Sequence, residues 1–252
     1  MKILSIGNSF SADAQRWLHD IAAADGVELT CVNLYIGGCY LERHYRNFKD
    51  DVCAYDWQEN GQRAAFRISM DRALKKADWD VVTISQASSR QGGGVETWEP
   101  YFTELVAHIR ELAPQAEIVL FEPWACEIDS PKKWFANIFD RDQKKMFRQI
   151  CATYEKFSAQ AGLRVLPVGE AIQYVRENVS AFDYANGGRS LNRDGFHLSM
   201  TYGRYIAALV WYAKLLGGDV TRNSFVPCDE AEPVDEGILG QVRAAVGDFL
   251  QA

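Results

Sequence analysis

Short apolar runs alternate with longer amphipathic segments along the whole chain, and this alternation constrains the fold more than any other feature. The apolar runs are rich in β-branched residues and predict strands at 2–6, 28–34, 80–86, 116–122 and 163–168. The other segments have helical periodicity and predict helices near 11–25, 63–77, 96–113, 142–161, 169–178, 199–216 and 234–250. Continuously apolar strands joined by helical crossovers are typical of a parallel sheet that is covered on both faces. The sequence therefore predicts a doubly wound α/β sandwich with five parallel strands.

The segment 40–62 departs from this alternation. It contains several aromatic residues and the turn signal Asn60-Gly61, but no clear helical period. An Asn-Gly pair between β-rich segments is typical of a two-residue hairpin turn. Since we find no internal repeat and no linker, we expect one domain spanning residues 1–252 with a small hairpin insertion at 40–62.

Charge and composition exclude several classes of protein. The net charge is -7 and the basic residues form no block, which argues against a nucleic-acid partner because such binding depends on a basic patch. No run of ~18 apolar residues is present, so we expect no membrane span. No leader precedes the first strand, so we expect a cytoplasmic location, or a secreted or periplasmic one if a signal peptide has been removed. The six cysteines are scattered without a C-x-x-C pair, which disfavours a zinc site.

Ligands of open α/β sheets bind beyond the carboxyl ends of the strands, so the loops that follow the predicted strands are the places to look. These loops lie at 7–11, 36–39, 86–94 and 123–124 and are rich in small or hydrogen-bonding residues. The first loop contains neither G-x-G-x-x-G nor G-x-x-x-x-G-K-[ST]. A nucleotide site is therefore not expected.

Asp194 and His197 form a D-x-x-H pair just before the last but one predicted helix. A carboxylate three residues before a histidine can bind one ring nitrogen and leave the other facing outward, as a general base requires. Ser9, at the end of the first predicted strand, supplies a hydroxyl for such a base. Taken alone, Gly-Asn-Ser is also typical of a turn with a helix cap, and Asp-Gly is a common turn dipeptide.

The two motifs together resemble those of the SGNH, or GDSL-like, hydrolase superfamily. Its first motif, Gly-Asp-Ser, corresponds here to Gly7-Asn8-Ser9, and its last, Asp-x-x-His, to Asp194-Gly195-Phe196-His197. The sequence Gly-Asn-Ser-Phe-Ser, followed late in the chain by Asp-Gly-x-His-Leu-Ser, resembles the motifs of a little-characterised bacterial branch of that superfamily. The resemblance implies a flavodoxin-like three-layer α/β/α sandwich, an esterase activity, and no cofactor or metal.

Carried over residue by residue, the resemblance implies that Ser9 is the nucleophile, His197 the base, and Asp194 the group that orients the imidazole. It also implies an oxyanion hole that includes backbone N–H groups of Ser9 and Gly38. The sequence departs from the third motif, because most relatives have Gly-x-Asn-Asp where this chain has Ser85-Gln86-Ala87-Ser88. Gln86 is the expected substitute, since its amide carries the same donor group; packing or capping is the alternative role.

Aromatic residues in the predicted loops bear on the substrate. They are Trp57, Trp98, Trp124, Trp134, Tyr35, Tyr40 and Phe135. Aromatic faces near a catalytic serine suit sugar rings, so we expect removal of an acyl group, such as acetyl, from a carbohydrate or another small ester, with Trp124 and Arg90 contacting the substrate. Core packing of the aromatics and a solvated Arg90 are the alternatives. A catalytically weakened carbohydrate-binding protein is the second functional hypothesis, and a metal-dependent phosphohydrolase is disfavoured because no ligand-spaced cluster is present.

Overall fold

A mixed β-sheet runs through the middle of the protein. The computed structural model describes residues 1–90 and 94–252, and within them the sheet has seven strands in the order β4-β3-β2-β1-β5-β6-β7. The strands are β1 Lys2–Gly7, β2 Thr30–Tyr35, β3 Tyr55–Glu59, β4 Gln62–Ile68, β5 Val81–Ile84, β6 Glu117–Glu122 and β7 Arg164–Pro167. Strands β1, β2, β5, β6 and β7 are parallel, whereas β3 and β4 are antiparallel. The predicted count of five is therefore too low for the whole sheet, although it describes the parallel part.

The two additional strands form a hairpin on one edge of the sheet. Its turn is Asn60-Gly61, with φ of 49° and 74°, and this pair of positive φ angles is the pattern of a type I′ turn. The prediction of a helix over 63–77 is wrong in its first half, because residues 62–68 pair with β3. Hairpin pairing prevails there over helix-favouring residues such as Ala64 and Ala65.

Helices cover both faces of the sheet. They are α1 Ser9–Gln15, α2 Leu18–Ala24, α3 Leu41–Lys49, α4 Met70–Leu74, α5 Tyr101–Leu112, α6 Lys133–Phe139, α7 Gln143–Ala161, α8 Val168–Asn178, α9 Tyr202–Leu216 and α10 Glu236–Gln251. The predicted helix 11–25 is thus two short helices, and α3 lies inside the segment 40–62. No helix in the described ranges is long and apolar enough to cross a membrane.

Successive side chains of the parallel strands point to opposite faces of the sheet and so contribute to two hydrophobic cores. Ile3 and Val81 pack on the face covered by α1, α2, α8, α9 and α10, whereas Leu4 and Val82 pack on the opposite face, against residues of α3, α5 and α7. Both faces of these strands are therefore buried, which explains why their sequences are continuously apolar.

Strand β1 is the point where the order of the parallel strands reverses. It pairs with β2 on one side and with β5 on the other; α1 follows β1 on one face of the sheet and α5 follows β5 on the opposite face, so a crevice opens at the carboxyl ends of these two strands. Ser9 lies in this crevice as the first residue of α1. Gln91, Gly92 and Gly93, in the loop predicted to follow the third parallel strand, lie outside the described residues.

Candidate active site

The loop after β1 is fixed by a reciprocal helix cap. The side chain of Asn8 accepts a hydrogen bond from the N–H of Phe10 at 2.9 Å, and Ser11 Oγ accepts one from the N–H of Asn8 at 2.9 Å. Gly7 must lack a side chain, because a Cβ there would lie 2.0 Å from Ser11 Oγ. These contacts hold Ser9 at the tip of a rigid turn.

Asn8 also joins this turn to the glycine turn after β2. Its Nδ2 donates to the carbonyl of Cys39 at 3.1 Å, and the N–H of Cys39 closes the turn by donating to the carbonyl of Ile36. Gly38, inside that turn, has φ of +62°, a left-handed conformation that favours glycine. The amide of Asn8 thus fixes the position of Gly38 relative to Ser9, a contact that the carboxylate of a Gly-Asp-Ser motif has no hydrogen to make.

The structure brings Ser9, His197 and Asp194 together. His197 Nε2 lies 2.9 Å from Ser9 Oγ, and His197 Nδ1 lies 2.7 Å from Asp194 Oδ2. The side chain of His197 is 19% exposed, so one edge of the ring is open to solvent. With the Nδ1 proton directed at the carboxylate, Nε2 is the acceptor for the hydroxyl, which is the arrangement needed to remove a proton from Ser9.

Backbone groups help to keep Asp194 ionised. Its Oδ1 accepts hydrogen bonds from the N–H of His197 at 2.8 Å and of Phe196 at 3.2 Å. Burial raises the pKa of Asp194, but the hydrogen bonds from the ring and backbone of His197 lower it more, and the net shift of the pKa is downward. The carboxylate is therefore the form that faces the imidazole.

The loop that carries His197 folds back on itself. The N–H of Arg193 donates to the carbonyl of His197 at 2.9 Å, and Asn192 and Leu198 form an isolated β-bridge. Gly195 has φ of +81°, and a Cβ there would lie 2.9 Å from Ser130 Cα. The Asp-Gly pair is thus a tight turn as well as part of the site.

Asp13 fastens this loop to helix α1. The side chain of Asp13, 2% exposed, accepts from Arg193 Nη1 at 3.0 Å, from Arg204 Nε at 2.8 Å and from the N–H of Leu198 at 3.0 Å. Because Asp13 follows Ser9 by one helical turn, the same short helix positions both the hydroxyl and the histidine loop.

A cavity of about 280 Å³ opens over the Ser9 hydroxyl. Its walls include Ser9, His197, Phe10, Phe196, Tyr35 and Gly38. The N–H groups of Ser9 and Gly38 donate to no acceptor in residues 1–90 and 94–252. Ser9 and Gly38 both line the cavity, and N–H groups without a protein acceptor can bind a ligand there.

Gln86 is placed differently from the expectation of an oxyanion donor. Its Nε2 donates to the carbonyl of Thr97 at 2.7 Å, and its Oε1 accepts from the N–H groups of Leu41 and Ala87 at 3.1 and 2.9 Å. The side chain is fully buried and is not among the residues that line the Ser9 cavity. Its contacts join the start of α3 to the segment between β5 and α5, which corresponds to the packing and capping alternative.

Trp124 and Arg90 are likewise not placed against the cavity. Trp124 is 1% exposed, its ring stacks on Phe10 at 4.3 Å, and its Nε1 donates to the carbonyl of Phe196 at 2.6 Å. The expectation that Trp124 contacts the substrate is therefore wrong, because neither face of its ring is accessible to a sugar. The ring instead supports Phe10 and the histidine loop. The guanidinium of Arg90 lies 4.7 Å from the ring centre of Tyr40 and does not line the cavity.

The roles of Asp13 and Arg193 are not apparent from the sequence. A lone acidic residue on an amphipathic helix is usually solvated, and only its position among Phe10, Ala14 and Trp17, which are buried, marks it as facing the protein interior. In the ranges that the structure describes, no group of three or more His, Cys, Asp or Glu residues is arranged to hold a metal ion.

Solved structures of lipolytic proteins have the same fold at low sequence identity. A lipase/acylhydrolase from Enterococcus faecalis matches with a TM-score of 0.54 and 16% identity, over 86% of this chain and 95% of that one. A member of the lipolytic protein G-D-S-L family from Veillonella parvula matches with a TM-score of 0.51 and 14% identity, over 86% and 98%. The protein therefore has the fold of the SGNH/GDSL hydrolases, as the sequence resemblance implied.

Within that fold the chain belongs to one particular family. Residues 2–235 match the family described as Domain of unknown function (DUF4886). The crystal structure of a DUF4886 family protein from Bacteroides uniformis is 31% identical, has a TM-score of 0.89, and aligns over 100% of this chain and 95% of its own. Curated proteins gave no significant match.

Proposed function

We propose that the protein is a serine hydrolase that cleaves carboxylic esters through an acyl-enzyme on Ser9. The observation that carries the proposal is the continuous hydrogen-bonded chain from Ser9 Oγ through His197 to Asp194, at 2.9 and 2.7 Å. The cavity over the hydroxyl and the fold shared with lipolytic proteins support the same class.

In the acylation step, Ser9 Oγ attacks the ester carbonyl while its proton moves to His197 Nε2. The tetrahedral intermediate then collapses, the bond to the alcohol oxygen breaks, and that oxygen takes the proton from Nε2. In the second step a water molecule attacks the acyl-enzyme, His197 accepts its proton, and the acid leaves as Ser9 regains its hydrogen. Asp194 stabilises the imidazolium in both steps.

We assign the stabilisation of the negative charge that develops on the carbonyl oxygen to two backbone donors, the N–H groups of Ser9 and Gly38. Both donate to no protein acceptor in the described chain and both border the cavity. Each such donor is worth ~10²–10³ in rate in a comparable hydrolase. Gln86 has no part in this assignment, because its carboxamide is bonded to the backbone of neighbouring loops.

The proposed substrate is a small acyl group, such as acetyl, on a carbohydrate or another small alcohol. A cavity of about 280 Å³ suits a short acyl chain, and Phe10, Phe196 and Ala87 supply apolar walls for it. Tyr35 adds a phenol at the same cavity, which suits a hydroxylated alcohol.

A catalytically weakened carbohydrate-binding protein is the second candidate. It is favoured by the departure in the third motif, since the amide nitrogen of Gln86 is bonded to the carbonyl of Thr97 and the residue does not line the cavity. Burial of the tryptophans weakens it, because Trp57, Trp98 and Trp124 are at most 4% exposed and offer no ring face to a sugar.

Hydrolysis of p-nitrophenyl acetate by the wild-type protein and by Ser9→Ala separates the two candidates. The proposal expects turnover by the wild type that falls to background in the variant. Ser89→Ala is the matched control, since Ser89 is an exposed serine that does not line the cavity. If the wild type hydrolysed the ester no faster than buffer alone but bound sugars, the result would favour the carbohydrate-binding candidate.

A further inference from the structure

Arg193 stands out among the residues around the Ser9 cavity because of its charge. Of the described residues that line the cavity, it is the only arginine or lysine, and none is a carboxylate. Its side chain is 31% exposed and forms part of the cavity wall. The lining of the cavity therefore carries one fixed positive charge, while the carboxylate of Asp194 does not line the cavity and is bonded to His197 Nδ1.

One nitrogen of the Arg193 guanidinium is hydrogen-bonded within the protein, and the other two are not bonded to any described residue. Nη1 donates to Asp13 at 3.0 Å and to the carbonyl of Leu198. Nε and Nη2 make no hydrogen bond to any described residue. The guanidinium is rigid and planar, so a hydrogen bond that fixes one nitrogen also fixes the directions of the other N–H groups. These groups can then bind a ligand with little further loss of side-chain conformational entropy.

The charge of Arg193 is not cancelled by its partner. Asp13 also accepts from Arg204 Nε at 2.8 Å, so two guanidinium groups share one carboxylate. A further cation lies close by, since Lys132 Nζ is 4.0 Å from the ring centre of Phe196, which forms part of the cavity wall. These groups favour a negatively charged ligand at this end of the cavity.

The position of Arg193 also indicates which half of an ester it faces. Its N–H donates to the carbonyl of His197, so it belongs to the histidine loop, whereas Gly38 belongs to the separate loop after β2. His197 must lie next to the departing alcohol oxygen to return its proton, and the carbonyl oxygen must face Gly38. Arg193 is therefore next to the alcohol half.

We infer that Arg193 forms a subsite for an anionic group on the alcohol half of the ester, so that the preferred substrates are acyl esters of alcohols that carry a carboxylate, such as acidic sugars. This inference rests on the proposed function, because it assumes an ester held between Ser9 and His197. A charge-assisted hydrogen bond between a partly exposed guanidinium and a carboxylate should raise kcat/KM for the charged ester about tenfold or more over that for a neutral analogue.

Two pairs of synthetic esters test the assignment. The alcohol pair is para-acetoxybenzoate and para-acetoxybenzamide, which differ in charge but hardly in shape. The acyl pair is p-nitrophenyl hemisuccinate and its neutral methyl ester. The wild-type protein should have a kcat/KM at least about tenfold higher for para-acetoxybenzoate than for para-acetoxybenzamide, with no comparable preference in the acyl pair.

Arg193→Gln should reduce the ratio of kcat/KM within the alcohol pair to about one, and Arg193→Lys should retain part of it. The ratio is the readout because loss of the Asp13 contact lowers activity toward both members alike. Lys133→Gln removes the same charge from an exposed residue outside the cavity and should keep the wild-type ratio. Should Arg193→Gln not fold, inhibition of the wild type by para-hydroxybenzoate must exceed that by para-hydroxybenzamide.

A wild-type ratio near one, an unchanged ratio in Arg193→Gln, or a preference confined to the acyl pair would overturn the inference. These outcomes leave the proposed function standing, since both esters are still hydrolysed. Absence of turnover for all four esters together with unmodified Ser9 after treatment with a fluorophosphonate would instead reject the proposed function.

Discussion

Arg193 Nη1 lies 3.0 Å from each carboxylate oxygen of Asp13, a residue 180 positions earlier in the chain. Asp13 stands one helical turn after Ser9, and Arg193 stands immediately before Asp194. This ion pair therefore joins the two segments whose relative position sets the distance from Ser9 Oγ to His197 Nε2. The site is held by this contact with a buried carboxylate as much as by the hydrogen bonds among Ser9, His197 and Asp194.

Asp13→Asn should lower both stability and turnover. The substitution leaves Arg193 and Arg204 without a counter-charge, and breaking a buried pair of this kind costs about 3 kcal/mol of unfolding free energy. The loosened histidine loop should lower kcat by about 10-fold to 10²-fold, because small misplacements of reacting groups are costly. Urea unfolding and ester hydrolysis measure the two effects.

Asp56→Asn is the matched control for that change. Asp56 also accepts from two arginines, Arg63 at 2.6 Å and Arg67 at 2.9 Å, but both arginine side chains are more than 60% exposed. Its loss should cost no more than about 1 kcal/mol and leave kcat unchanged. Equal losses of stability and kcat in the two variants would contradict the role given to Asp13.

Ser9→Ala and His197→Ala should each reduce kcat/KM by about 10⁴-fold or more, and the double variant should be little worse than either. The two side chains act on one proton, so removing the second adds little once the first is gone. Kinetics of the three variants on p-nitrophenyl acetate provide the test. Losses that multiply in the double variant would indicate two independent contributions.

Trp124→Phe should lower kcat severalfold with little change in KM. The phenyl ring can keep the stacking on Phe10 but cannot donate to the carbonyl of Phe196, the residue before His197. Loss of such a hydrogen bond costs about 1 kcal/mol.

Trp98→Phe is the control for the loss of volume, because Trp98 is also buried and its Nε1 has no partner in the described parts of the chain. That variant should lose stability without the selective fall in kcat. If both variants lowered kcat equally, the hydrogen bond from Trp124 would not be the cause.

Glu122→Gln should change how stability depends on pH. Burial, with a smaller contribution from Glu170, raises the pKa of Glu122 from 4.5 to about 8. Between these two values the folded protein keeps a proton that the unfolded chain releases, so the free energy of unfolding falls as pH rises and levels off above about 8. Gln has no proton to lose, and the variant should be more stable than the wild type at pH above about 8.

Chemical denaturation at a series of pH values measures this difference. Glu111→Gln, a change at an exposed carboxyl, should leave the wild-type pH dependence in place. The assignment to Glu122 fails if its variant keeps the fall in stability between pH 5 and pH 8.

The sequence was sufficient for the parallel part of the fold because its signals are local and redundant. Each parallel strand is buried on both faces, so its apolar run is visible without knowledge of its neighbours. The edge strand Gln62–Ile68 is polar and mostly exposed, and it exists only because the Asn60-Gly61 turn returns it to β3. Its residues favour a helix when considered without that partner.

The same division applies to the site. Ser9, Asp194 and His197 were identifiable because their motifs resemble those of a known superfamily. The direction of the Gln86 side chain depends on Leu41, at the start of α3, and on Thr97, which lies between β5 and α5, and no local pattern encodes it. Likewise, a buried aspartate such as Asp13 is recognised only when the partners that balance its charge are known.

Labelling by a fluorophosphonate is the sharpest test of whether His197 activates the hydroxyl of Ser9. We expect intact-protein mass spectrometry to show one adduct on the wild-type protein and peptide mapping to place it on Ser9. We expect His197→Ala to react far more slowly, because the hydroxyl has lost its base. Labelling of another residue, or an equal rate of Ser9 labelling in His197→Ala, would contradict the claim that the imidazole activates this hydroxyl.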